Sequence, residues 1–181
     1  MPWPSHRSLD GGIDQIPLPD SPGELWVCGK HVTGPDAEAA LERVGATTIV
    51  CLNERHELED RYPDYVEWLL THRDDRAVWF PIPDLHAPPV DVVVPFLDEL
   101  RRRLDAGERV LMHCGAGIGR AGTMAACVLM AMDVDPDVAL ALVAEHRPMA
   151  GPEAGAQREL IDALAASLPA ARPSTHARKV P

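Results

Sequence analysis

The sequence predicts a single-domain α/β fold, with a central, mostly parallel sheet covered by helices on both faces. Three observations predict it. Short apolar runs alternate with stretches of helical periodicity along the chain. The run 47–52 (TTIVCL) is continuous and β-branched, as a strand buried on both faces must be. The chain has 181 residues, 46% hydrophobic and 25% charged, which is the length of one domain and too apolar for a disordered chain.

The elements follow in order. Residues 1–22 carry Pro2, Pro4, Pro17, Pro19 and Pro22 and read as an extended arm outside the core. Residues 25–28 (LWVC) form a first strand. Pro35 and Asp36 open a helix over 36–44, and Gly45 stops it. After the 47–52 strand, a helix over 57–72 is expected, interrupted near Pro63. Residues 77–82 form a strand ended by Pro81 and Pro83. A helix spans 91–105, with Pro95 tolerated close to its first turn and Gly107 as its stop. Residues 110–113 (VLMH) are the next strand, and an Ala- and Met-rich helix over 119–132 follows. Asp135 and Pro136 start a helix that runs to His146, and a last helix covers 153–167. The domain is thus expected over 23–169. Residues 170–181, with Arg172, Arg178 and Lys179 and no acid, read as a disordered basic tail.

Seventeen Lys and Arg against 28 Asp and Glu give a net charge of −11. Such a surface argues against nucleic acid and anionic membranes as partners, since both need a positive footprint. Only Lys30 and Lys179 are lysines, so positive charge is almost entirely guanidinium. No apolar run approaches the ~18 residues of a membrane span, and the first residues lack the apolar core of a signal peptide. Four widely spaced cysteines without CxxC pairing fit reduced thiols in a cytoplasm better than a disulfide or zinc framework. The Ala-, Arg- and Asp-rich, Lys-poor composition fits a high-GC bacterial genome.

In open α/β sheets, ligands sit beyond the carboxyl ends of the strands. Beyond the 110–113 strand the chain reads His113-Cys114-Gly115-Ala116-Gly117-Ile118-Gly119-Arg120-Ala121-Gly122-Thr123. Small residues let successive backbone N–H groups turn inward, and the following helix N-terminus adds partial positive charge, so residues 115–120 form an anion cradle. Arg120 can grip two oxygens of a tetrahedral anion with its fork. The same field favours thiolate at Cys114, toward the ~3.5–7.5 range of thiols at helix N-termini. A thiolate beneath a bound phosphate is placed for in-line attack on phosphorus.

These residues resemble the His-Cys-x-x-Gly-x-x-Arg loop of the cysteine-dependent protein phosphatases, in their compact dual-specificity branch. The resemblance implies hydrolysis of phosphotyrosine, with phosphoserine and phosphothreonine as further substrates, through a phosphocysteine on Cys114. It implies no cofactor and no metal, and a phosphorylated protein or peptide as partner. Family members supply a general acid and base from a mobile loop upstream of the cysteine. Asp84, in the segment Pro81-Ile82-Pro83-Asp84-Leu85-His86, lies 30 positions before Cys114 and fits that role. The segment 147–157 resembles the family's stretch ahead of its last helix, where a Gln can orient the hydrolytic water, so Gln157 reads either in that role or as a polar residue on a helix face. Arg147 reads as a tie between the preceding helix and the loop. His113 and Thr123 are expected to support the cradle from behind rather than touch substrate.

One position departs from the family pattern. Ala121 stands where Ser or Thr usually stabilises the departing thiolate, which predicts slow breakdown of the phosphoenzyme. Cys51, at the end of a central strand, reads either as a buried apolar cysteine or as a disulfide partner for an oxidised Cys114. The loop positions Gly115, Ala116, Ile118 and Gly119 carry no base to hold extra phosphates. Only 62 residues separate Cys51 from Cys114, so the cleft is expected to be shallow. The alternatives are a phosphatase of a nucleotide or lipid headgroup, a phosphate-binding pseudophosphatase, and a rhodanese-type sulfurtransferase.

Overall fold

A computed structural model describes residues 12–168 apart from residue 74. Its strands are β1 (Ile13–Ile16), β2 (Glu24–Gly29), β3 (Thr48–Cys51), β4 (Ala77–Trp79) and β5 (Arg109–Cys114). They form one sheet of order β1-β2-β5-β3-β4, in which only β1 runs antiparallel to its neighbour. The helices are α1 (Lys30–Thr33), α2 (Ala37–Val44), α3 (Pro63–Thr71), α4 (Val90–Asp105), α5 (Gly119–Ala131), α6 (Pro136–His146) and α7 (Gly155–Ser167). The α/β fold class is as expected. Among the described residues, no helix is long and apolar enough to cross a membrane.

Alternation along the strands splits the core in two. Val110, Met112 and Cys114 of β5 belong to a cluster with α4, α5, α6 and α7, while Leu111 belongs to a second cluster with α2 and α3. Period-two side-chain direction puts Cys114 on the α5 face and His113 on the α3 face. Central β5 therefore ends in a nucleophile candidate aimed toward the N-terminus of α5.

Several boundaries differ from expectation for local reasons. The expected 57–72 helix starts only at Pro63, whose fixed φ suits a first helical position, and a 3-10 turn (Arg55–Glu57) precedes it. Asp36 is the N-cap of α2 rather than its first residue and accepts from Ala39 N–H (2.9 Å). β4 stops at Trp79, although Phe80 and Ile82 N–H still bond Cys51 and Leu52 carbonyls (2.9 and 3.0 Å).

The N-terminal arm needs a larger correction. Residues 13–16 form β1 at the sheet edge, pairing Ile13 with Cys28 and Ile16 with Leu25. Ile13, Asp14 and Ile16 are buried. The prolines at 17, 19 and 22 punctuate the chain after the strand instead of preventing it, since an edge strand of four residues fits between them and Gly12. The expected basic tail over 170–181 lies outside the described residues.

Candidate active site

The loop after β5 is shaped by its carbonyls. Gly115 O accepts from Lys30 N–H (3.2 Å), Ala116 O from Arg147 Nη2 (3.0 Å) and Gly117 O from Arg147 Nε (2.5 Å). Ile118 O accepts from Gly122 N–H (2.9 Å) and Gly151 N–H (3.2 Å). Four successive carbonyls are thus drawn away from the loop's hollow. In a planar trans peptide the next N–H points the opposite way, so the N–H groups of residues 116–119 are turned from those partners toward the hollow. The anion cradle expected over residues 115–120 needs donors turned inward in this way. Gly117 makes it possible: its φ is +71°, and a Cβ there would lie 2.2 Å from Cys28 O.

Arg120 closes the cradle. It is 4% exposed, at the second position of α5. Glu57 holds it bidentately, Oε2 to Nη1 (2.7 Å) and Oε1 to Nη2 (2.8 Å), while Ile82 O takes a further bond from Nη1 (2.8 Å). Burial alone would raise the Glu57 carboxyl, but Arg120 overrides it and holds it down at about 2. Asn53 Nδ2 and Glu54 N–H also donate to Glu57 (both 2.8 Å). Asp84 completes the group, with Oδ1 3.2 Å from Arg120 Nη2 and a side chain 70% exposed. Cys114, the cradle, Arg120 and Asp84 therefore meet at the carboxyl end of the sheet.

Arg147 works behind the loop. Besides the two cradle carbonyls, its Nη1 donates to Asp14 Oδ2 (2.7 Å) and Val27 O (3.2 Å), and both charged side chains are 2% exposed. Its expected tie to the loop is present, and β1 supplies the counter-charge. His113 also sits behind. Its Nε2 lies 2.5 Å from Tyr65 Oη and its Nδ1 3.5 Å from Cys114 O. Burial pushes the imidazole down to about 4, so it is neutral near pH 7. A Tyr65 hydroxyl donating to Nε2 leaves Nδ1–H facing the Cys114 carbonyl.

Gln157 and Thr123 are buried and line one narrow hollow with Arg120, His86, Ala87 and Pro88. Gln157 Oε1 accepts from Glu153 N–H (2.7 Å), whereas its Nε2 and Thr123 Oγ1 find no hydrogen-bond partner among the described residues. Ala121 is fully buried in the α5 core. Cys51 pairs with His113 in register and packs in the α2–α3 cluster, on the other side of the sheet from Cys114. Burial raises its thiol to about 12, which fits the apolar reading and not the disulfide one.

Residues 21–171 match the family model PTP-SAK, described as Swiss Army Knife protein, DSP-PTPase phosphatase domain. The chain belongs to this family. The DSP-PTPase domain is also found by shape. Tk-PTP in the active form shares 27% identity at a TM-score of 0.62, over 92% of this chain and 99% of that one. Kinase associated phosphatase (KAP), with its catalytic-site cysteine replaced by serine, shares 24% identity at a TM-score of 0.66 over 80% and 89%. PTPMT1 in complex with PI(5)P shares 14% at 0.59 over 77% and 88%. The last two likenesses are of fold alone. No curated protein matches by sequence.

Sequence reasoning missed three residues of this DSP-PTPase domain: Glu57, Tyr65 and Asp14. A buried guanidinium needs a buried carboxylate, so the motif itself demanded a partner such as Glu57. Nothing local marked which of the 28 acids it would be.

Proposed function

We propose that this phosphatase domain hydrolyses phosphotyrosine, with phosphoserine and phosphothreonine as further substrates, in phosphorylated proteins or peptides. Cys114 Sγ attacks phosphorus in line, while the cradle N–H groups and Arg120 hold the non-bridging oxygens. Asp84 gives its proton to the leaving phenoxide or alkoxide. A water oriented by Gln157 then attacks the phosphocysteine, Asp84 takes its proton, and the Cys114 thiolate departs with inorganic phosphate. The supporting observation is the Asp84 carboxylate. It lies 3.2 Å from the Arg120 guanidinium, yet its side chain is 70% exposed, which supports a role between a bound phosphate and its leaving group.

Cys114→Ser should abolish turnover of an aryl phosphate. Asp84→Asn should slow it about a hundredfold, with a changed pH profile. Unchanged turnover in Asp84→Asn would remove the acid assignment. Binding of phosphopeptide by the wild type without any turnover would instead identify a pseudophosphatase.

A further inference from the structure

Four non-glycine residues have positive φ among the described residues: Asp20, Leu85, Asp133 and Met149. Aspartate tolerates that region because its short polar side chain bonds locally, but Leu and Met occupy it only against a steric cost. Leu85 and Met149 are also two of the five exposed large hydrophobics among the described residues, at 51% and 61% exposure. The same two residues combine an uncommon backbone region with an exposed apolar side chain.

Their turns share one construction. His86 N–H donates to Pro83 O (3.1 Å) and Ala150 N–H to Arg147 O (2.9 Å). Leu85 and Met149 each take the third position of a four-residue turn, and neither Asp84 nor Pro148 before them has positive φ. Both are type II turns, whose third position favours Gly or Asn. Both turns adjoin residues tied to Arg120 or to the loop. Asp84, next to Leu85, reaches Arg120 at 3.2 Å, and Gly151, two residues past Met149, donates to Ile118 O at 3.2 Å.

Glycine or asparagine would build either turn more cheaply, and neither exposed side chain fills the core. What Leu85 and Met149 supply is exposed apolar surface on segments tied to Arg120 and the loop. We propose that they are specificity-determining residues, an apolar rim that receives a hydrophobic side chain next to the phosphorylated residue of a peptide. The proposal rests on the phosphatase reading of Cys114. Charge favours a peptide as the occupant. The cradle holds one guanidinium, and Gly115, Ala116, Ile118 and Gly119 add none, so a single phosphate is matched and a polyphosphorylated headgroup is not. An apolar neighbour of that phosphate is what the rim can desolvate.

Leu85→Asn and Met149→Asn, singly and together, keep a left-handed turn residue and remove the apolar surface. The substrates are two phosphotyrosine peptides differing only by Leu or Ser beside the phosphotyrosine, an aryl phosphate, and phosphatidylcholine vesicles carrying a phosphatidylinositol monophosphate. The wild type should prefer the Leu peptide about tenfold in kcat/KM. The double variant should lose that preference through KM, with kcat and the aryl-phosphate rate unchanged and Tm no lower. An equal preference in both proteins overturns the proposal, as does a fall in Tm that accounts for the loss. Vesicle turnover that needs the two residues while peptide turnover does not would assign the rim to a membrane and overturn it too. A wild type inert toward aryl phosphate would sink the phosphatase reading alone. The rim is then judged by binding of the two peptides to Cys114→Ser, where equal affinities overturn it.

Discussion

Arg120 and Arg147 are 4% and 2% exposed and both carry carboxylate partners, but Arg147 bonds the loop's own carbonyls while Arg120, at the loop's end, bonds Glu57 and Ile82 O. The partners of Arg120 include a carboxylate, Asp84, that remains open to solvent. Arg147 is sealed between Asp14, Val27 O and two cradle carbonyls. The difference shows how one chemistry serves two ends. A guanidinium with a shared, partly open partner can hand its donors to a substrate, whereas a sealed one can only hold geometry.

The largest effect should come from the front. Arg120→Lys loses the planar fork and should lower kcat/KM on an aryl phosphate by about 10^3- to 10^4-fold, with little change in Tm. A variant that unfolded instead would erase the contrast with Arg147. Behind the loop, Arg147→Met takes the buried cation away from the buried Asp14 carboxylate and should cost about 3 kcal/mol in denaturant unfolding. Loss of activity without loss of stability there would assign Arg147 to substrate rather than scaffold.

His113 lies between the two and sharpens the picture through pH. Its folded-state value of about 4 is below the ordinary value of 6.5, so the unfolded chain binds the proton more readily between them. Stability from the neutral imidazole is therefore complete above pH 6.5 and is lost as pH falls toward 4. Between pH 7 and 5 the wild type should lose about 2 kcal/mol more than His113→Asn. Parallel curves would show that the imidazole is not held neutral. Glu57, held at about 2, should stay charged throughout that window and keep Arg120 in place. The smallest effect is expected at Ala121→Ser. One added hydroxyl donor to the departing thiolate is worth about 1 kcal/mol, or about fivefold in steady-state turnover, seen as a smaller burst relative to the steady rate. A slower steady rate would mean that phosphoenzyme breakdown is not limited at this position.

Much of the fold was legible because its signals are local. The run 47–52 is apolar on both faces, and Gly45 and Gly107 end helices where left-handed backbone is needed. Cys114 to Arg120 was legible for the same reason: strand, cradle and helix start lie within one short segment. β1 was not. Four residues between Gly12 and Pro17 carry too little pattern, and pairing with β2 is what makes them a strand. Leu85 and Met149 look unremarkable in sequence, since nothing in Asp84-Leu85-His86 announces a left-handed Leu.

The sequence by itself determined the make-up of the loop: a cysteine ending a strand, three glycines, an arginine opening a helix, and an aspartate 30 positions upstream. Only the tertiary structure decided that Glu57 neutralises Arg120 and that Asp14 neutralises Arg147. Backbone propensity acts over a few residues, while charges pair through space, across 63 and 133 positions here, and burial decides which of many acids must answer each cation.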